Sequence, residues 1–82
     1  MKIVLSQHAK DRLIERGIKE ELIKETLLNP DVRAPTRHRR RRRAMKSFGD
    51  KTVDVIFEER ADKIIVVTCA VLEKGGRYGH NL

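Results

Sequence analysis

The stretch "RHRRRRRAMKSFG", residues 37–49, decides how this chain folds. Five arginines stand in a row, a sixth sits at Arg37, and the run passes directly into Met45, Phe48 and a Gly49-Asp50 pair. Read alone, such a run is an unstructured tail or an arm for nucleic acid. The residues that follow it have the texture of a strand entering a tight turn. On the second reading the stretch is the first full strand of a sheet. Strand geometry then sends Arg37, Arg39, Arg41 and Arg43 to one face and His38, Arg40, Arg42 and Lys46 to the other. An edge strand with both faces partly wet can hold such charges, and they discourage edge-to-edge aggregation.

The charge balance points to the same segment. Residues 33–46 hold eight Lys or Arg and no acid, which leaves eleven bases against twelve acids elsewhere. The net charge of +7 is therefore local. A basic patch on an otherwise balanced chain indicates a polyanionic partner, because each phosphate neutralised releases condensed counterions. Nucleic acid is the first candidate, and an anionic membrane or an acidic protein comes next. Trp is absent and Tyr occurs once, so an RNA reader built on a sheet of stacking aromatics is disfavoured.

Outward from the basic stretch, the chain reads as helix, helix, then strands. "KIVL" is a short strand or an extended lead-in. Ser6 is an N-cap for "SQHAKDRLIER", and Gly17 is its stop signal. Ile18, Leu22, Ile23, Leu27 and Leu28 then follow a helical period that ends at Asn29-Pro30. "DVRAPT", with Pro35, suits a loop or an edge strand. "KTVDVIFEE" alternates like a strand with one buried face, and "KIIVVTCAVLE" is apolar on both faces, as in mid-sheet. "FGDKT" and "EERADK" are the hairpin connections. These elements predict an α+β fold, with two N-terminal helices packed on a three- to four-stranded antiparallel sheet. Residues 1–74 form one domain, and 75–82, with three glycines, form a flexible tail. With 82 residues, a chain of this size has a small and simple core.

The strongest local pattern for chemistry is "HAKDRLIERG". Helical spacing gathers His8, Arg12, Glu15 and Arg16 into one stripe, while Ala9 and Leu13 lie beside it to anchor the helix. His8 falls in the first turn, where unpaired N–H groups and the helix dipole favour an anion and a neutral imidazole. Such a histidine suits general base catalysis beside a phosphate. The competing reading is a solvated stripe, in which the arginines pair with Asp11, Glu15 or Glu20 and His8 only caps or packs. Thr68, alone among apolar neighbours, is either simply hydrogen-bonded or faces a cleft against the first helix. No cofactor and no metal site are expected, since His8, His38 and His80 are scattered and Cys69 is the single cysteine. Cys69 reads as a small buried hydrophobe. No membrane span or signal peptide is apparent, so a cytoplasmic protein is expected.

The pattern Ser-x-His-Ala-x-x-Arg-x-x-Glu-Arg-Gly-Ile, standing here as Ser6 to Ile18, is followed by a helix ending near Asn-Pro, a basic stretch and a Val-rich last strand with a Thr. This order resembles a widespread family of small domains of unknown function, over about residues 3–72. The resemblance implies the RelE-like fold shared by barnase, EndoU, colicin D and RelE-type toxins. Many members of that wider group are metal-independent ribonucleases, often toxins held by a partner antitoxin. Carried over to this chain, it implies catalytic roles for His8, Arg12, Arg16, Lys46 and Thr68, with Glu15 in support. Cys69-Ala70 stands where an aromatic often follows the threonine.

The expected function is RNA cleavage by general acid/base transphosphorylation. His8 would act as base or acid, Arg12 and Arg16 would stabilise charge on the phosphate, and Lys46 or an arginine of the run would complete the site. Glu15 would orient an arginine, and Arg37, Arg39, Arg40, Arg41, Arg42 and Arg43 would hold RNA. The alternatives are a non-catalytic RNA- or DNA-binding module on the basic strand, and a protein that docks an acidic partner such as an antitoxin.

Overall fold

A computed structural model describes residues 2–73, so the expected tail at 75–82 lies outside the described residues. The elements are β1 (Lys2–Leu5), α1 (Gln7–Arg16), α2 (Glu20–Leu28), β2 (Val32–Pro35), β3 (Arg42–Phe48), β4 (Lys51–Arg60) and β5 (Lys63–Glu73). The five strands form one sheet in the order β1-β5-β4-β3-β2. The fold is α+β as expected, but the sheet is five-stranded and mixed. Strands β2 to β5 are antiparallel, whereas β1 runs parallel to β5, pairing Lys2 with Lys63 through Leu5 with Val66. Four residues of "KIVL" cannot reveal a partner some sixty positions away. Its pairing gives β5 neighbours on both sides, so that strand lies inside the sheet, as its mid-sheet texture predicts. No described helix is long and apolar enough to cross a membrane.

Both helices lie on one face of the sheet. Ala9 of α1 and Ile23 and Leu27 of α2 join Ala44, Val53, Val55, Phe57, Val66 and Cys69 in a single buried cluster. Burying a Val or Ile side chain contributes roughly 1.5–3 kcal/mol, so this cluster is the main source of stability. Local signals set the helix ends. The Ser6 hydroxyl accepts from the Ala9 N–H at 3.1 Å and donates to the Val67 carbonyl at 3.0 Å, capping α1 and fastening it to β5. At the other end Gly17 takes φ 64°, its N–H bonds the Ile14 carbonyl, and the Ile18 N–H reaches Leu13. This is a Schellman closure, completed by the apolar pair Leu13 and Ile18.

The arginine stretch departs from the expected strand. Strand β2 pairs with β3 in the register Val32–Met45 to Pro35–Arg42, and residues 36–41 form the loop between them. Pro35 has no N–H with which to extend the ladder. Alternating arginines would also set like charges side by side along one face, whereas a loop lets them splay into water. The loop is nevertheless fixed. The Thr36 hydroxyl lies 3.0 Å from the carbonyls of both His38 and Arg41 and accepts the His38 N–H, and the Arg41 N–H bonds the His38 carbonyl at 2.9 Å. Beyond it, β3 turns into β4 through Gly49-Asp50, with φ 74° at Gly49 and no positive φ at Asp50, the signature of a type II′ turn.

Candidate nucleic-acid interface

The residues expected to form one site fall into separate places. His8 is exposed on the outer side of α1, in a hollow of about 400 Å³ that, among the described residues, is lined by His8, Asp11, Arg12, Ile14 and Glu15. Arg12 is salt-bridged to Glu15, and Asp11 accepts from Gln7 at 3.0 Å. Two carboxylates face one guanidinium there, so the local charge opposes a phosphate. Arg16 lines a different hollow with Gly17, Ile18, Leu22, Lys51, Val71 and Glu73. The stripe thus diverges along the helix, and its members do not converge on one point.

Lys46 has a partner of another kind. It lies opposite Val53, on the helix-side face, and its Nζ donates to the Asn29 carbonyl at 2.9 Å and lies 3.8 Å from Asp31. A cation on the last carbonyls of α2 satisfies an orphan acceptor and complements the helix dipole. Its charge is committed to the fold, in contrast to the implied role in catalysis.

Thr68 does not face the first helix. The pairing of β4 with β5 shifts between Ile56 and Phe57, which match Thr68 and Val66, and Val67 is the extra residue. That bulge turns Cys69 toward α1, where its Sγ lies 3.9 Å from the Ala9 carbonyl, and leaves Thr68 on the opposite face. Burial pushes the Cys69 thiol up, against the pull of Arg16 and Arg12, which suits an inert packed side chain.

On that opposite face Thr68 meets the arginine stretch. A hollow of about 640 Å³ at the root of the β2–β3 hairpin is lined by Pro35, Thr36, Arg37, His38, Arg41, Arg43, Ile56 and Thr68. Two carboxylates of β4 support it from below. Glu58 accepts Arg41 Nε at 3.2 Å and Arg60 Nη2 at 2.8 Å, and Asp54 accepts Arg43 Nε at 3.0 Å. The hydrogen bonds of Arg60 and Arg41 hold the Glu58 carboxyl below its usual range. Burial dominates at Asp54 and raises its carboxyl, although Arg43 pulls the other way. Arg37, Arg39, Arg40 and Arg42 make no ion pair among the described residues, and all four are exposed. His38, overlooked among the candidates because the arginines around it dominate the sequence, accepts the Arg40 N–H on Nδ1 at 3.2 Å. With Nδ1 accepting, Nε2 is the ring nitrogen left to donate.

Two helices on one side of a five-stranded mixed sheet, with a fixed arginine hairpin near one edge, define a small α+β domain with a cationic hairpin among its described residues. The chain belongs to the family described as Domain of unknown function (DUF4258), whose model matches residues 5–70. That span contains both helices, the arginine hairpin and Thr68. No curated protein and no solved structure matches the chain.

Proposed function

We propose that this domain binds RNA, with the β2–β3 hairpin and the adjoining uncovered sheet face as the binding surface. The observation that carries the proposal is the fixed arginine hairpin, in which Arg37, Arg39 and Arg40 of the loop and Arg42 of β3 have no carboxylate partner among the described residues. Guanidiniums suit phosphates through paired N–H donors and suit unstacked bases through their flat faces. The test is anisotropy of labelled single-stranded RNA over a salt series, with duplex DNA as comparator. Affinity should fall with salt by about 0.7 in log-log slope for each phosphate contacted. Binding that ignores salt, or that survives replacement of those four arginines by glutamine, would overturn the proposal.

RNA cleavage at α1, apart from the hairpin surface, is the second reading, in keeping with a RelE-like, toxin-like and metal-independent ribonuclease. The succession of two helices and an antiparallel run of strands supports it, although β1 is parallel. So does an exposed His8 in the first turn of α1, next to an Arg12 oriented by Glu15. On this reading His8 takes the 2′-hydroxyl proton, and Arg12 has to outweigh Asp11 and Glu15 to stabilise charge on the phosphorane. An RNA cleavage assay in EDTA decides it, since equal activity of the parent and His8→Ala would remove His8 from the chemistry. A small acidic partner such as an antitoxin would cover the same cations, and its co-purification with the domain would be the sign of a toxin pair.

A further inference from the structure

The hollow at the root of the hairpin is built more specifically than a general cationic surface requires. Its two inner arginines are each gripped by the Nε edge alone, Arg41 by Glu58 and Arg43 by Asp54. The carboxylates lie deep, with side chains 12% and 13% exposed, while Arg41 and Arg43 are 39% and 45% exposed. Each guanidinium is therefore held from beneath, and no hydrogen bond among the described residues takes its Nη groups. A planar guanidinium fixed on one edge keeps its other donors in a set direction, which lowers the entropy lost when they bind an anion. The charges also leave room for one. Arg37, Arg41 and Arg43 line the hollow and Arg60 shares Glu58 with Arg41, so these four arginines outnumber the carboxylates Asp54 and Glu58 by two charges.

The rest of the lining adds what a bare ion would not need. The Thr68 hydroxyl can donate to a phosphate oxygen, and so can Nε2–H of His38, whose Nδ1 accepts the Arg40 N–H. Ile56 and Pro35 supply an apolar surface beside these donors, and 640 Å³ exceeds what a phosphate alone requires. We propose that this hollow is a subsite for one nucleotide of an RNA strand. Its phosphate lies on the Nη groups of Arg41 and Arg43 and on the Thr68 hydroxyl, and its base or ribose lies against Ile56 and Pro35. Asp54 and Glu58 are positioning residues that hold the arginines for it. The inference rests on the RNA-binding reading and adds to it a defined place for a single nucleotide.

The test uses the full chain and a nucleoside 3′-monophosphate, followed through the methyl resonances of Ile56 and Thr68. The nucleotide should shift both signals saturably, and inorganic phosphate should bind more weakly. Thr68→Val should weaken the nucleotide about tenfold, as expected for one lost hydrogen bond to a charged group. Asp54→Asn should also weaken it, although removal of a negative charge would by itself tighten an anion. Arg39→Gln, at the exposed loop, should weaken long RNA and leave the mononucleotide unaffected. Should long RNA bind while the mononucleotide leaves Ile56 and Thr68 unmoved, the subsite is wrong and the RNA-binding reading stands. Equal affinity for phosphate and nucleotide reduces the hollow to an ion site and overturns the proposal. If neither long RNA nor the nucleotide binds, both readings fall.

Discussion

The two faces of the sheet have been put to opposite uses. On the helix side, Val53, Val55, Phe57, Val66 and Cys69 are each at most 3% exposed and pack against Ala9, Ile23 and Leu27. On the other side no described helix covers the strands, and Arg43, Asp54, Ile56 and Thr68 stand beside the arginine hairpin. Neighbouring residues of one strand thus serve different ends, as Val55 is buried while Asp54 and Ile56 face outward. The difference teaches that stability and binding can be altered separately here, because alternation along a strand keeps the two sets of side chains apart.

That separation can be broken by experiment. The largest effect is expected at Ile23, which is fully buried, and Ile23→Ala should cost about 3–4 kcal/mol in denaturant unfolding. Next comes the hairpin. Replacing Arg37, Arg39, Arg40 and Arg42 by glutamine should reduce the salt slope of RNA binding by close to 3, at about 0.7 for each contact. The same variant should unfold within about 0.5 kcal/mol of the parent, since none of the four is buried. A large stability loss in this variant would mean that the two faces are coupled after all.

Lys46 sharpens the comparison because its chemistry suits one face and its position the other. Lys46→Met removes the bond to Asn29 and the cation at the end of α2, and should cost about 0.5–1 kcal/mol. RNA affinity should stay the same. A selective loss of RNA binding with unchanged unfolding would return Lys46 to the binding surface.

The smallest effects concern the two carboxylates under the arginines, and they have opposite signs. Glu58 is held below its usual range by Arg60 and Arg41, so its contribution is present at neutral pH and is lost as pH falls through its lowered folded value. Asp54 is raised by burial, so its ionised form costs stability at neutral pH, and that cost is relieved as pH falls through its raised value. Glu58→Gln should therefore flatten the acid side of the stability curve, and Asp54→Asn should steepen it. Unfolding midpoints measured between about pH 3 and 6 would show it, and slopes changing in the same direction would refute this assignment.

Much of the backbone was legible because its signals are local. Ser6, Gly17 and Asn29-Pro30 mark helix ends through hydrogen bonds and φ angles that involve residues a few positions away. Gly49-Asp50 marks the turn into β4 for the same reason. The buried face of β4 followed from simple alternation, and the place of Ala9 and Leu13 from helical spacing. The candidate site was less legible. The stripe from His8 to Arg16 satisfies helical geometry, yet convergence of side chains also depends on what the helix packs against, and Asp11 and Glu15 share the hollow of His8.

The sequence by itself determined two helices, their caps, a strand-rich second half and a local excess of positive charge in residues 33–46. These rest on short-range hydrogen bonding, periodicity and the number of charges, none of which needs a partner distant in the chain. Tertiary structure alone decided that β1 pairs parallel with β5, that Lys46 caps α2, and that Glu58 and Asp54 hold Arg41 and Arg43. It also decided the side on which Thr68 lies. One extra residue at Val67 shifts the pairing and reverses which side chains face the helices, a change that no count along the strand can register.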